Sequence, residues 1–127
     1  MIVPQTELAG VHLLMSRTGV EHVLGAPRSL KAVHGARRMD YGKTKVYLSL
    51  TEDGTVFRVT TTDRRQKTAT GVRVGSSAAA VRRGVSDVRC SVSACVVGTR
   101  RTGQRLTTFT LRDGRVARVT LGFYGAS

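Results

Sequence analysis

Two stretches of this sequence match each other in order and spacing. Setting Gly10 against Gly71, an offset of 61 residues, aligns a Gly-Val pair, a serine and an apolar i, i+4 spacing in each stretch: Gly10-Val11, Ser16, Val20 and Leu24, and Gly71-Val72, Ser77, Val81 and Val85. Farther along, an Asp-Gly pair between alternating apolar residues also recurs, as Asp53-Gly54 and Asp113-Gly114. The order, the spacing and the turn all recur, so the pattern predicts an internal duplication.

A short helix is predicted in each copy. Ser16 and Ser77 stand where a side-chain oxygen can cap the first free N–H groups of a helix. The first helix is expected to end at Gly25-Ala26-Pro27, because glycine adopts the left-handed C′ conformation and proline cannot continue the hydrogen-bond ladder. Helices of about ten residues depend on packing against a sheet rather than on intrinsic propensity.

Alternating apolar residues predict strands after each helix. The predicted strands are Lys45 to Leu50 and Thr55 to Thr61 in the first copy, and Cys95 to Thr99, Leu106 to Leu111 and Arg115 to Phe123 in the second. The expected fold is therefore α+β: two tandem helix-plus-antiparallel-sheet repeats that form one continuous sheet with helices on one face. The repeats are placed at residues 1–62 and 71–127, joined by a polar, basic connector at 63–70 within one compact domain.

Alternation also assigns the two faces of the predicted sheet. The core face is predicted to comprise Val46, Leu48, Leu50, Phe57, Val59, Phe109, Leu111, Ala117, Val119, Leu121 and Phe123. The opposite face carries polar and basic residues: Tyr47, Ser49, Arg58, Thr60, Thr108, Thr110, Arg118 and Thr120. This second face is either an ordinary solvated surface or a docking surface for a partner.

The two cysteines, Cys90 and Cys95, have four residues between them. This spacing differs from the usual C-x-x-C pair, and no histidine lies near them in sequence, so a metal site is not predicted. If the loop joins two strands, its flanking residues are cross-strand neighbours that can form a disulfide. A disulfide favours an oxidising compartment, whereas a pair of reduced, buried thiols is the alternative.

The net charge of the chain indicates which class of partner it attracts. Twenty-one Lys and Arg residues against eight Asp and Glu residues give a net charge of +13, which favours polyanions such as nucleic acid or anionic envelope polymers. The residues from Met1 to Glu7 do not have the form of a signal peptide, and no apolar run is long enough to span a bilayer. A binding protein without a transmembrane segment is expected.

Catalytic chemistry is not evident in the sequence. His12, His22 and His34 all lie in the first copy without counterparts in the second, and no carboxylate pair has the placement that acid–base catalysis requires. Residues 71–77 lack the Gly-Lys-Ser/Thr ending of a phosphate loop. No enzyme activity, metal or cofactor is therefore expected, and a small hydrolase using Ser16 or Ser77 is the weakest hypothesis.

The pattern Gly10-Val11-x-Leu13-x-Met15-Ser16, leading to Gly25-x-Pro27 and then a hairpin, resembles the small outer-membrane assembly lipoproteins of the SmpA/OmlA (BamE) type. Tandem units of this kind form the architecture of β-lactamase inhibitory protein, so the resemblance implies helices on one face of a continuous sheet. The opening of the second copy is similar to that of secreted proteins from high-GC actinobacteria. A lipoprotein cysteine near Met1 is missing, so membrane anchoring is not implied.

These observations predict a non-catalytic, monomeric, extracytoplasmic module that binds a protein partner of unknown identity. A basic protein that binds nucleic acid or an anionic envelope polymer is the alternative. Three Arg pairs, at 64–65, 82–83 and 100–101, support that alternative because each can contact phosphate, and Tyr47 could stack on a base.

Overall fold

The computed structural model describes residues 1–50 and 54–125. The elements of this part of the chain are, in order, β1 (Ile2–Val3), β2 (Glu7–Leu8), α1 (Arg17–Leu24), β3 (Ser29–Val33), β4 (Ala36–Asp40), β5 (Thr44–Ser49), β6 (Val56–Thr61), α2 (Ala78–Gly84), β7 (Arg89–Cys90), β8 (Ala94–Gly98), β9 (Arg105–Arg112) and β10 (Arg115–Phe123). In these two ranges, no helix has the length and apolar character that a membrane crossing requires.

Eight of the strands form one antiparallel sheet in the order β3-β4-β5-β6-β10-β9-β8-β7, and β1 and β2 form a separate ribbon. The prediction of an α+β fold built from two helix-plus-sheet repeats is therefore wrong. The protein is mostly β, and its helices have only eight and seven residues. The strands of the two matching stretches pair with each other through β6 and β10. The boundaries at 62 and 71 stay a prediction.

The serine caps are confirmed at both helices. The Ser16 side chain accepts from the Gly19 N–H at 3.0 Å, and Ser77 accepts from the Ala80 N–H at 3.1 Å. Gly25 ends α1 with a φ of +81°, and its N–H donates to the Glu21 carbonyl. One residue of each helix is fully buried, Val20 in α1 and Val81 in α2, and Leu24 and Ala78 pack partly buried against the same core. Packing on the core therefore holds these short helices in place.

The core lies on one face of the large sheet, which is covered by the helices and the ribbon. Neighbouring strands contribute facing apolar pairs, such as Val46 with Val59 and Phe109 with Val119, and Ile2 of the ribbon is buried in the same cluster. Phe109 is the largest side chain that is completely buried. The alternation of apolar and polar residues in β5, β9 and β10 thus reflects one packed and one open face.

Two β-bulges change the predicted core. Each bulge inserts one extra residue, Phe57 in β6 and Ala117 in β10, and both precede an arginine. The Phe57 ring lies 6.3 Å from the Tyr47 ring, so it is buried against the opposite face and not under the helices. Leu50 was also placed in the core wrongly, because it follows the end of β5 and is 56% exposed. Phe123 is partly buried against the core cluster.

A hairpin at residues 29–40 was not predicted. Strands β3 and β4 pair from Ser29 with Asp40 to Val33 with Ala36, and a two-residue turn joins them. Both turn residues have positive φ, +40° at His34 and +79° at Gly35, which is the geometry of a tight hairpin turn. His34 therefore belongs to the turn of this hairpin. Of the two predicted Asp-Gly turns, Asp113-Gly114 joins β9 to β10, whereas Asp53 lies outside the described residues.

Candidate binding face of the sheet

The face of the large sheet that points away from the core is called the polar face here. Strand register places all eight predicted residues on it: Tyr47, Ser49, Arg58, Thr60, Thr108, Thr110, Arg118 and Thr120. Apart from the exposed Arg118, each of these residues is partly exposed. The eight side chains come from β5, β6, β9 and β10, so the centre of the sheet brings together residues that lie far apart in sequence.

Threonines occupy the middle of the polar face. Thr60, Thr120 and Thr108 lie opposite one another on β6, β10 and β9. The hydroxyls of Thr60 and Thr120 are 3.2 Å apart, and the Thr60 hydroxyl also donates to the Val119 carbonyl at 3.3 Å. β-branched side chains with mutual hydrogen bonds lose little freedom on binding, so this strip is a rigid, polar platform.

A second set of side chains, which we call the basic row, crosses four strands beside the threonines. It consists of Lys31, Arg38, Tyr47 and Arg58, each of which is the register partner of the next. Neighbouring strands are about 4.8 Å apart, so the backbone positions of the two arginines are separated by about 10 Å with the tyrosine between them. Two arginines thus flank one aromatic ring, and Lys31 lies beyond Arg38 at the end of the row.

Arg58 is held in place by aromatic rings. Its guanidinium carbon lies 4.3 Å from the centroid of the Tyr47 ring and 5.5 Å from that of Phe57. Gly122, the register partner of Arg58 on β10, leaves room for the side chain: a Cβ there would lie 3.3 Å from the Arg58 Cγ. Stacking on rings leaves the in-plane N–H donors of a guanidinium free for an acceptor. The Arg58 guanidinium also covers one face of the Tyr47 ring, so that a nucleic-acid base cannot stack on that face.

Arg38 has an unsatisfied donor. Its Nε is buried and has no hydrogen-bond partner within the described ranges. A buried donor without an acceptor costs about 1–3 kcal/mol, and structures in which such a group persists usually need a specific explanation. The planar fork of arginine matches a carboxylate or phosphate through two parallel bonds. Because this nitrogen is shut off from solvent, an anionic group from outside the chain could accept from it only after the Arg38 side chain rotates.

The polar face carries one acidic side chain among the described strand residues, Asp40 on β4. Its Oδ1 accepts from the Gly42 N–H at 2.8 Å. This hydrogen bond, together with the charges of Lys45, Arg38 and Lys31, lowers the pKa of the Asp40 carboxyl. Asp40 therefore stays ionised at neutral pH, yet it neutralises only part of the positive charge around it.

Sequence reasoning missed Lys31 and Arg38 because it did not predict β3 and β4. β3 is at the edge of the sheet and β4 is next to it. Polar residues occupy both faces of these strands, so the sequence lacks the apolar–polar alternation that indicates a strand. The signal in the sequence is the His34-Gly35 pair, since histidine and glycine both tolerate positive φ and can form a two-residue hairpin turn. Lys45 lies in the predicted β5 alternation but was not included in the candidate face.

The predicted disulfide is confirmed. Cys90 and Cys95 are register partners on β7 and β8, with an S–S distance of 2.07 Å and a Cα–Cα distance of 3.9 Å. Cys95 is completely buried in the core, and Cys90 packs against it. A shallow cleft of about 240 Å³ beside the disulfide is lined by Arg89 and Arg100, at the opposite end of the sheet from the basic row.

The remaining predicted groups are dispersed. The three arginine pairs lie on different parts of the fold. Arg64-Arg65 follows β6, Arg82-Arg83 is on α2, and Arg100-Arg101 lies between β8 and β9. Ser16 and Ser77 act as helix caps. His12 and His22 are exposed, one before α1 and the other on it. Within the described ranges, no cluster of three or more His, Cys, Asp or Glu residues could hold a metal ion.

Comparison with known proteins adds fold information. No protein-family model and no curated protein matches this chain. An extracellular protein of Bacillus anthracis str. Ames that contains an SCP domain has a similar structure, with a TM-score of 0.65 at 7% identity. The match covers 87% of this chain and 44% of that protein, so this chain spans less than half of its length. A DUF4309 family protein (YjgB) of Bacillus subtilis subsp. subtilis str. 168 matches with a TM-score of 0.47 at 14% identity, covering 85% of this chain and 78% of the other. Neither structure tests the resemblance to SmpA/OmlA-type units, which stays a prediction.

Proposed function

We propose that the protein is a non-catalytic binding module that works outside the cytoplasm and docks a partner on the polar face. The observation that carries this proposal is the polar face itself, where rigid threonines adjoin two arginines, Arg38 and Arg58, that form no direct ion pair with a carboxylate in the part of the chain that the structure describes. A solvated surface gains nothing from a buried donor without an acceptor, whereas a docking surface does once the partner is bound.

The extracytoplasmic part of the proposal rests on the Cys90–Cys95 disulfide, because such bonds persist mainly in oxidising compartments. The similarity to an extracellular protein agrees with this location, although at 7% identity it concerns the fold alone. Mass spectrometry of the protein from its native host, with thiols alkylated before lysis, tests the location. Free thiols on Cys90 and Cys95 would contradict it.

Docking on the polar face is tested by photo-crosslinking in the host cell. A benzophenone amino acid at Thr120 stands in the centre of the face, and the same group at Ala79 stands on α2, behind the sheet. We expect Thr120 to yield a defined crosslinked product that Ala79 does not yield. Equal crosslinking at both positions, or none at Thr120, would overturn the assignment of the face.

A basic protein that binds polyanions without sequence preference is the second candidate function, because the net charge of +13 attracts any polyanion. Its affinity would fall steeply with salt and depend on the total charge more than on any one arginine. The dispersion of the three arginine pairs suits this weak, distributed mode of binding.

A further inference from the structure

We infer that the basic row is the anchor of the polar face and that it binds an acidic polypeptide segment, whose carboxylates accept hydrogen bonds from Arg38 and Arg58. This inference rests on the proposed docking function and names the chemistry of the partner. The two arginines lie on β4 and β6 on either side of Tyr47, so the site offers two guanidinium groups whose backbone positions are about 10 Å apart.

Each arginine is prepared for a carboxylate in a different way. Arg58 is immobilised by Tyr47 and Phe57 before any partner arrives, so less side-chain freedom is lost on binding. Arg38 carries the buried Nε without an acceptor, and a bidentate carboxylate, which bonds to Nε and one terminal nitrogen after a rotation of the side chain, would satisfy it. Lys31, at the end of the row, adds attraction over a longer range.

The surroundings of the row favour a polypeptide over nucleic acid or another regular polyanion. Asp40 lies on the same face, two residues along β4 from Arg38, and repels any anion placed beside it, so it restricts where on the row a carboxylate or a phosphate can bind. Arg58 covers one face of the Tyr47 ring, so fewer ring faces are open for the base stacking that single-stranded nucleic acid uses. The threonine hydroxyls beside the row can donate to and accept from peptide groups, which have both donors and acceptors.

The test measures the binding of labelled probes to the full chain by fluorescence anisotropy. The probes are a glutamate-rich peptide of about twelve residues, the same peptide with glutamine at each glutamate, an oligothymidine and inorganic polyphosphate, each at about 50 and about 150 mM NaCl. We expect the glutamate peptide to bind and the glutamine peptide to fail. Arg38→Gln and Arg58→Gln should each raise the Kd for the glutamate peptide by about tenfold, because each removes charged hydrogen bonds.

The matched control is Arg82→Gln, which removes the same charge from the exposed surface of α2. It should change the Kd less than about twofold, as expected for a distant, solvated charge. Arg58→Lys keeps the positive charge and the aliphatic stem but removes the fork, so it should weaken binding several-fold while the protein stays folded. The denaturation midpoint of each variant shows that the change in Kd does not come from unfolding.

Three results would overturn the inference. Arg82→Gln could weaken binding as much as Arg38→Gln does, which would show a response to net charge alone. Oligothymidine or polyphosphate could bind more tightly than the glutamate peptide and lose affinity in the same two variants, which would identify a different class of partner. The glutamate peptide could fail to bind at either salt concentration. If the Thr120 crosslink is still formed in the host, the docking function survives and only the acidic chemistry of the partner is wrong.

Discussion

The guanidinium group of Arg58 lies over the ring of Tyr47, its register partner across β5 and β6, at 4.3 Å from the ring centroid. The contact joins the aromatic and the basic parts of the polar face into one unit. Its strength can be measured by a double-mutant cycle with Tyr47→Leu and Arg58→Met. We expect a coupling free energy of about 0.5–1 kcal/mol, from urea denaturation of the four proteins. A coupling of zero would mean that the two side chains adopt this geometry without stabilising each other.

The fully buried Phe109 and the exposed Leu50 provide a test of the corrected core. Phe109→Ala should lower the free energy of unfolding by about 3–5 kcal/mol, because it leaves a cavity between β8, β9 and β10. Leu50→Ala, at a side chain that is 56% exposed, should change it by less than about 0.5 kcal/mol. Chemical denaturation measures both. A large loss of stability in Leu50→Ala would show that this side chain is buried in the core, as the alternation in the sequence predicts.

Gly98 and Gly103 both have positive φ but differ in the space around them. A Cβ on Gly98 would lie 2.4 Å from the Arg105 carbonyl oxygen and 2.7 Å from Gln5 Nε2, whereas a Cβ on Gly103 would meet nothing within 4 Å. Gly103→Ala should therefore lower the free energy of unfolding by about 1 kcal/mol, the cost of a positive φ at a residue with a Cβ. Gly98→Ala should lower it by at least about 2 kcal/mol more, because its Cβ also clashes. Thermal or urea unfolding of the two variants compares them. Equal losses of stability in the two variants would show that the positive φ, and not the crowding around Gly98, determines the effect.

The Cys90–Cys95 bond closes a short loop, so its effect on stability should be moderate. Removing it with Cys90→Ala and Cys95→Ala together should lower the free energy of unfolding by about 2 kcal/mol, the loop-entropy value for this separation. A reducing agent should shift the denaturation midpoint of the natural protein toward that of the double variant and leave the double variant unchanged. A midpoint that does not respond to reduction would show that the bond constrains the unfolded chain little.

The Asp63 carboxylate is hydrogen-bonded within the segment that follows β6, and its contribution to stability should depend on pH. Its carboxylate accepts from the Arg65 side chain at 3.0 and 3.1 Å and from the Arg65 N–H at 2.9 Å, and these bonds lower the pKa of Asp63. A lowered folded-state pKa stabilises the protein above the unfolded value of about 3.9, and this contribution is lost as the pH falls through the folded pKa.

Asp63→Ala should therefore lower the free energy of unfolding by about 1–2 kcal/mol at pH 7, and the difference from the natural protein should shrink as the pH falls below about 4. Urea denaturation across the pH range measures this difference. Thr62→Ala, next to it at an exposed position, is the matched control. A difference that stays constant down to pH 3 would show that the carboxylate charge has no part in the effect.

Local features of the fold were predictable and long-range ones were not. The caps at Ser16 and Ser77 depend on a few neighbouring residues, so they can be predicted from the local sequence alone. The pairing of β6 with β10 depends on which strand edges meet in space, and nothing within Val56–Thr61 specifies its partner. The duplication signal therefore located the strands that it covered but misled about the architecture, since it suggested two helix-plus-sheet repeats where the protein has an eight-stranded sheet, a two-stranded ribbon and two short helices.

The candidate site was predictable in the same uneven way. Alternation in β5 and β10 placed Tyr47 and Thr120 on a common face because each of those strands has one buried side. Arg38 could not be found by that rule, since its strand buries only Met39 and Ala36 and its neighbours are mostly charged. The bulge at Phe57, which supplies the second ring beside Arg58, also has no signature in an alternating pattern.

The position of the disulfide gives the large sheet two unlike ends. A covalent bond fastens β7 to β8 at one end, whereas β3 at the other end is attached by backbone hydrogen bonds, and its middle residues are exposed. Fraying starts where contacts are fewest, so transient opening of the sheet should begin at β3 and proceed toward β4. The basic row begins on those two strands. A partner bound across β3, β4, β5 and β6 would therefore hold together the end of the sheet that the disulfide does not fasten.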